Sequence, residues 1–563
     1  MIFLIITFLS FTFTIVLTPL LISILLKQGI LDNPAGETRR IHSEPVPRLG
    51  GIIIFFVISI TTFSFYQDIE SRIFFISGAF VVFLLGLFDD LLDIKWYYKF
   101  LIQSVAVILL IISLNNHDIN QISLFSFTFS PVTGYVILFI LILSILNSFN
   151  LMDGLDGLVT GFSLLVASLC FLLSYNYSIS FITFLSAAII GTSLGFLKFN
   201  GNPARIFLGD SGSLTLAYLT AAAVLFLSSE LDTLSTTENG GISNQLDILF
   251  ILIVFAIPLA DMLKVMMIRL KGGSHIFLPD CNHLHHILYS KKIRHKTVVL
   301  LIHLLSTLFI LTSVYYVLGN KVNAVILFTL LLIILFLIEH IIEFIIKKES
   351  LLNYGKKYKL LPAIIPKIYL QYFIPFVSTA ILVLLIILTL IKVNKSSNLE
   401  YFLLILIPAF LYSTFNLKKK NYYTELLVFL NIIIFFVITG FNGFFYKLYH
   451  ISDGIMFNIH QIFVVVLTVM IILFILFKER IANLRTQFLG GTDLTIGVFI
   501  FFVFVASQFI EFPQAYRISD TLLRSFLLFL FYKILIILHQ KLHFSLYYLS
   551  FLIAVIAIGK SLF

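Results

Sequence analysis

The sequence predicts an all-α polytopic membrane protein, and three observations carry that prediction. Sixty per cent of the 563 residues are hydrophobic and only 12% are charged, about half the charged fraction of a soluble domain. Apolar runs of 18 or more residues recur from end to end, each long enough to cross a bilayer as a helix. The runs lack the alternation of a barrel strand, and helices and closed barrels are the structures that satisfy their backbone in lipid.

In chain order the spans fall near residues 1–26, 49–66, 73–88, 100–114, 131–146, 158–175, 180–197, 212–229, 247–263, 298–318 and 323–346. The first has no basic n-region and no small-residue cleavage site, so it reads as a retained span and not as a signal peptide. After residue 367 roughly seven more apolar segments follow, with short basic loops at 417–421 and 478–487 between them. The expected organisation is therefore an embedded core of about 11 helices over 1–346, a basic linker at 347–367 and an additional C-terminal membrane domain at 368–563. Within that last part, "FLGGTDLT" (488–495) reads as a loop or as the start of a helix. Cys170 and Cys281 form no CxxC pattern and suggest neither a disulfide framework nor a Cys-type zinc site.

Charge placement orients the chain. Loops on one side (27–48, 89–99, 147–157, 198–211, 264–297 and 347–367) contain 21 Lys and Arg, whereas those on the other side contain two, Arg72 and Lys321. The positive-inside rule puts the basic loops in the cytoplasm and the N-terminus outside. Five polar stretches fall on the basic side.

The first, "DNPAGETRRIHSEPVPRLGG" (32–51), combines Arg39, Arg40, His42 and Arg48; it reads as a phosphate-binding loop or as a basic loop serving topology alone. The second, "FDDLLDIKWYYK" (88–99), sets Asp89 and Asp90 where a span should end, with Asp93, Lys95 and Lys99 following. Carboxylates there oppose the helix dipole and lie close to lipid, so they need a compensating cation unless they are solvated. The third, "NSFNLMDGLDGL" (147–158), carries Asn147, Asn150, Asp153 and Asp156 at intervals of three. On one continuous helix these would fan around the cylinder, but the Asp-Gly pairs predict that the helix stops near Asn150 and that a turn lets several side chains converge.

The fourth, "FNGNPARIFLGDSGSL" (199–214), places Gly-Asp-Ser-Gly-Ser just ahead of an apolar run. Its N–H groups suit an anion at a helix start, or Asp210 is simply an N-cap. The fifth, "SHIFLPDCNHLHHIL" (274–288), holds His283, His285 and His286, which suit zinc or phosphate. Zinc is disfavoured because no Glu stands in or beside the run as an HExxH-type site requires.

Together these stretches resemble the polyprenyl-phosphate N-acetylhexosamine-1-phosphate transferases, through "PRLGG", "DDLLD", "NSFNLMDGLDGL", "NPARIFLGDSGS" and "PDCNHLHH". The resemblance covers residues 1–346, and the "HLHH" signature looks like the O-antigen and teichoic acid branch. It implies transfer of an N-acetylhexosamine 1-phosphate, GlcNAc being favoured, from its UDP derivative to undecaprenyl phosphate, with release of UMP. It implies Mg²⁺, with Mn²⁺ an alternative, on Asn150 and Asp210. It gives catalytic places to Asp89, Asp90, Asp153, Asp156 and Lys99, and substrate contacts to His283, His285, His286, Asn200, Phe207, Arg205, Arg48 and His42. A bacterial cytoplasmic membrane, a cytoplasmic active site, lipid and nucleotide-sugar partners, a homodimer and no nucleic acid complete the expectation. The competing class is a transporter or lipid-linked sugar flippase, alone or fused to a transferase, which should carry ionisable residues mid-span along a path. Here they cluster at one rim.

Overall fold

In the computed structural model, the residues described are 2–32, 45–66, 68, 72–115, 121–125, 127–237, 245–272, 282–291, 293–352, 432, 467–468, 471, 490–509 and 513–538. The helices are α1 (Ile2–Gln28), α2 (Gly51–Phe65), α3 (Ile73–Leu92), α4 (Trp96–Asn115), α5 (Pro131–Met152), α6 (Leu158–Asn176), α7 (Ser180–Asn200), α8 (Gly209–Thr237), α9 (Ile248–Val254), α10 (Ala256–Lys271), α11 (Leu284–Ser290), α12 (His295–Leu318), α13 (Lys321–Leu352), α14 (Gly491–Phe509) and α15 (Pro513–Leu538). Among the described residues nine helices are long and apolar enough to cross a membrane, and the bent pair α9–α10 makes a tenth if taken as one span. The protein is thus a multi-pass helical membrane protein, and each of the eleven expected core spans coincides with a helix or helix pair.

Local sequence explains how these helices begin and break. Ser130 caps α5 by accepting from the Thr133 N–H at 3.3 Å, and Pro131 takes the first helical position, where its missing N–H costs nothing. The span expected at 247–263 is instead bent by 83° between Val254 and Ala256. Pro258 supplies the reason: its ring would collide with the carbonyl four residues back, and that residue, Val254, is the last of α9.

Two small sheets punctuate the helices. Strand β1 (Leu31–Asp32) pairs antiparallel with β2 (Val46–Pro47), setting Leu31 opposite Pro47. In the other, β3 (Gln121–Leu124) pairs antiparallel with β4 (Phe127–Thr128) and parallel with β5 (Gln245–Asp247). Asp247 then caps α9 through the Leu249 N–H at 2.9 Å and receives the Tyr316 hydroxyl from α12.

Contacts divide the chain into two units, one of residues 1–345 with 490–510, the other of 346–489 with 511–563. The division expected near 346–368 is therefore crossed by one element, α14, which packs in the first unit against α12 and α6. Of the remaining C-terminal spans, only α15 and isolated residues are described. Within the first unit α6, α7 and α8 form the interior; 89% of the α8 span is buried, against 17% of α13, where Ile326, Leu330, Ile333 and Leu337 face outward. Such apolar periphery is what a helix presents to lipid.

One close approach organises the site end of this bundle. Gly86 of α3 lies directly on the Ser211 backbone at the start of α8, and a Cβ there would overlap it. Gly86→Val should lower the thermal stability of the detergent-solubilised protein by about 1–3 kcal/mol or more, as overpacking against unyielding backbone does. A melting curve unchanged from wild type would contradict this packing.

Candidate active site

The start of α8 is where the motifs meet. Gly209 turns the chain with φ +72°, a left-handed conformation natural to glycine, and a Cβ on it would strike the Asp90 carboxylate. Asp90, from the last turn of α3, accepts from the Asp210 N–H at 2.8 Å, the Ser211 N–H at 3.0 Å and the Ser211 hydroxyl at 2.7 Å. It also meets Arg48 Nε at 2.8 Å, with its side chain fully buried. The anion expected at this helix start is thus the protein's own, and Asp90, not Asp210, is the cap.

Asp89 accepts from the Ile94 N–H at 2.8 Å and pairs with Lys99. Lys99 lies 3.4 Å from Asp210, and Arg48 lies 3.5 Å from it on the other side. These two cations are the compensation that the carboxylates at the end of α3 require. Asp210 also accepts from the Asn150 amide and lies beside Asp89, from which it accepts only when Asp89 carries a proton. Burial alone would lower the basicity of Arg48, but Asp90 and Asp210 outweigh it and raise its pKa, so the guanidinium is held charged.

Helix α5 runs two residues beyond the expected stop at Asn150, to Met152, and the four residues at threefold spacing separate. Asn147 turns to Gln103 of α4 at 3.1 Å. Asn150 reaches Ser213 at 3.5 Å and Asp210. Asp153 caps the helix C-terminus and lies in the field of Asp210, Asp90 and Arg48. Asp156 faces away from that centre, accepting from Asn202 Nδ2 at 2.8 Å and the Ala204 N–H at 3.1 Å. Asn150 and Asp153 therefore converge, as a turn after the helix allows, while Asn147 is held by Gln103 and Asp156 by Asn202 and Ala204.

Asn200 is buried with its amide engaged on both sides: Oδ1 accepts from the Gly157 N–H at 3.2 Å and the Thr160 hydroxyl at 3.1 Å, while Nδ2 donates to the Ile206 carbonyl at 3.1 Å. It fastens the Asp153–Gly157 turn to the loop before α8. Phe207 is tied through its backbone to Pro47 and Gly50, and Arg205 is exposed nearby. His42, Arg39 and Arg40 lie outside the described residues.

The histidines gather around Asp261 of α10, which the sequence reading missed. Its carboxylate meets His283 Nδ1 at 2.9 Å and caps α11 through the Leu284 N–H at 2.7 Å. A carboxylate inside an apolar run was the available signal. His285 is buried over Gly154, its Nε2 has no hydrogen-bond partner, and its ring lies 4.3 Å from that of His286. Burial, together with the neighbouring histidines, pushes its pKa well below the usual range, so it stands neutral at neutral pH. His295 was also missed; its Nε2 accepts from the Asp156 N–H at 3.2 Å. Among the described residues no three His, Cys, Asp or Glu close around a single metal position.

Comparison with known proteins covers this arrangement. Residues 72–228, from α3 to α8, match the family described as glycosyl transferase family 4. The chain is 30% identical over 278 residues to the undecaprenyl-phosphate alpha-N-acetylglucosaminyl 1-phosphate transferase of Thermotoga maritima, covering 49% of this chain and 78% of that protein. It is 29% identical over 326 residues to the Bacillus subtilis protein named "Probable undecaprenyl-phosphate N-acetylglucosaminyl 1-phosphate transferase", covering 57% and 87%. It is 32% identical over 264 residues to the phospho-N-acetylmuramoyl-pentapeptide-transferase of Borrelia hermsii, covering 40% and 74%.

Asp153 provides a pH test of this geometry. Burial first, then the charges of Asp210 and Asp90, pushes its carboxyl up to about 8. An unfolded carboxyl titrates near about 3.9, so the stability carried by neutral Asp153 is complete below that pH and is lost as pH rises toward the folded value. In buffer free of divalent ions Asp153→Asn, which cannot ionise, should melt with wild type at about pH 4 and increasingly above it toward about pH 9. A melting difference independent of pH would refute the placement.

Proposed function

Because this chain belongs to glycosyl transferase family 4, the polyprenyl-phosphate hexosamine-1-phosphate transferases, we propose that it transfers N-acetylglucosamine 1-phosphate from UDP-N-acetylglucosamine to undecaprenyl phosphate. The observation that carries the reading is the disposition of charge at the start of α8. The carboxylates of Asp90 and Asp89 are 0% and 3% exposed, whereas Arg48 and Lys99 are 29% and 31% exposed. Buried acids thus hold two cations toward the opening, where an anionic diphosphate would meet them.

The lipid phosphate oxygen attacks the sugar-linked β-phosphorus in line; the bond from that phosphorus to the bridging oxygen breaks, and UMP departs with the oxygen. A phosphate monoester has its second pKa at about 6 and needs little help to become the dianion. Asp90 accordingly acts as a positioning residue for Arg48 and for the Asp210 backbone, and Asp89 for Lys99. Transfer of this kind depends on positioning and charge stabilisation. Lys99 and Arg48 bear on the phosphoryl oxygens, and His285, with its unpartnered Nε2 beside the Asp153–Gly157 turn, donates to the diphosphate through that nitrogen in the tautomer that protonates it. Asp153 and Asp156 line the nucleotide-sugar end.

With Asp153 held neutral, three carboxylates (Asp89, Asp90 and Asp210) face two cations here, leaving one negative charge when the three are ionised, which suits a bound cation. Asn150 and Asp210 would hold Mg²⁺ or Mn²⁺, which when bound would supply charge neutralisation for the diphosphate. Mg²⁺ takes one or two protein oxygens and fills its shell with water and phosphate, which suits so small a donor set. The charge of the basic loops supports a cytoplasmic position for this rim, where the soluble donor is found, with the N-terminus outside. The lipid-linked product suits the first step of a cell-envelope polysaccharide.

Purified full-length protein given undecaprenyl phosphate, UDP-N-acetylglucosamine and Mg²⁺ should release UMP. Asp210→Asn should reduce that release by about 100-fold or more. Absence of release with every UDP-N-acetylhexosamine, or full activity in Asp210→Asn, would sink the proposal.

A further inference from the structure

Helix α14 lies about 140 residues beyond α13 in sequence yet is part of the transferase unit. The match covering 87% of the Bacillus subtilis protein leaves 43% of this chain outside it. Apolar side chains of α14, among them Val498, Ile500 and Phe502, are buried, and its first turn is fixed by Asp493 accepting from the Gly490 N–H at 2.7 Å. Two contacts lead from this turn to the same place.

Gly491 lies against Asn202, 3.4–3.5 Å from where a Cβ would stand, and the Thr492 methyl rests on Gly201. Asn202 is the residue whose Nδ2 donates to Asp156 at 2.8 Å. The second contact runs through Thr495, whose hydroxyl is 3.4 Å from Nδ1 of the buried His303. His303 Nε2 is 3.1 Å from the Leu158 carbonyl. A carbonyl only accepts, so Nε2 carries the hydrogen, and in the neutral ring Nδ1 is an acceptor that shares the Thr495 hydroxyl with the Gly491 carbonyl at 3.3 Å. Leu158 is two residues past Asp156. One contact therefore braces the loop that grips the Asp156 side chain, and the other braces the backbone that carries it.

We propose that α14 is a built-in positioning element for the nucleotide-sugar end of the active site, with Gly491, Thr492 and Thr495 as the positioning residues and Asp156 as the group they place. The inference rests on the proposed function in taking Asp156 to face the donor. It gives the C-terminal part of the chain a role in the transferase itself: the donor site is complete only with α14 docked.

The test uses the full chain with Gly491→Leu, which drives a side chain into Asn202, and Thr495→Val, which removes the hydroxyl at constant shape. Both should raise KM for the UDP-sugar roughly five- to tenfold, the effect of one lost buried hydrogen bond or one displaced contact, with kcat and lipid KM within about twofold. Thr495→Ser should restore the wild-type value, and amide exchange should quicken over 200–206 in Gly491→Leu and over 156–161 in Thr495→Val. Unchanged donor KM with unchanged exchange overturns the proposal, as does an equal loss for both substrates, which marks a merely structural helix. If wild type releases no UMP from any donor, the proposed function fails by itself; the exchange readout then decides the docking, faster exchange supporting it and unchanged exchange overturning it.

Discussion

The Asp90 carboxylate is the joint on which the remainder of the site hangs. A helix start leaves backbone N–H groups without partners and carries positive potential, and a buried carboxylate left unpaired costs several kcal/mol. In this protein each deficiency satisfies the other: Asp90 takes the Asp210 and Ser211 N–H groups and, on its remaining edge, Arg48. Helices α3 and α8 and the segment before α2 are thereby locked together at one point. The positions of Asp210 between Lys99 and Arg48, and of Asn150 against Ser213, follow from that lock.

The same joint explains why a rim so rich in acid can serve anionic substrates. The acids are turned inward and spent on backbone and cations, while the cations keep about a third of their surface open. A phosphate arriving at the rim therefore encounters donors first. The histidine cluster is assembled on the same plan, with Asp261 orienting His283 and capping α11 while His285 keeps Nε2 unspent.

Much of this was legible in the sequence because the bilayer is so restrictive a solvent. An apolar run of fixed length has one structural outcome, so the multi-pass helical class and a helix or helix pair at each expected core span could be read from the sequence. What could not be read depended on partners distant in sequence. Nothing local tells that the acid meeting the Gly-Asp-Ser backbone comes from 120 residues earlier, and Asp210 looked like its own cap. Asp261 and His295 were passed over because each stands alone in its segment; only the fold brings them to His283 and Asp156. The bend at Phe255 had a local signal in Pro258, but hydropathy does not register a proline that sits in the first turn of a new helix. The separate directions of Asn147 and Asp156 are likewise set by distant partners, Gln103 and Asn202.

The place of α14 also imposes an order on assembly. Its seat against α12 and α6 includes His303 and the Gly161 backbone, an awkward surface to leave facing hydrocarbon. Synthesis proceeds at about 5–20 residues per second, so the interval between the end of α12 and the arrival of Gly491 is on the order of ten seconds or more. For that time the bundle is inserted but unfinished, and His303 must shelter its free ring nitrogen by other means, with water or a neighbouring helix. The transferase becomes whole only when a late segment returns to close an early gap, so its maturation is timed by the length of chain that lies between.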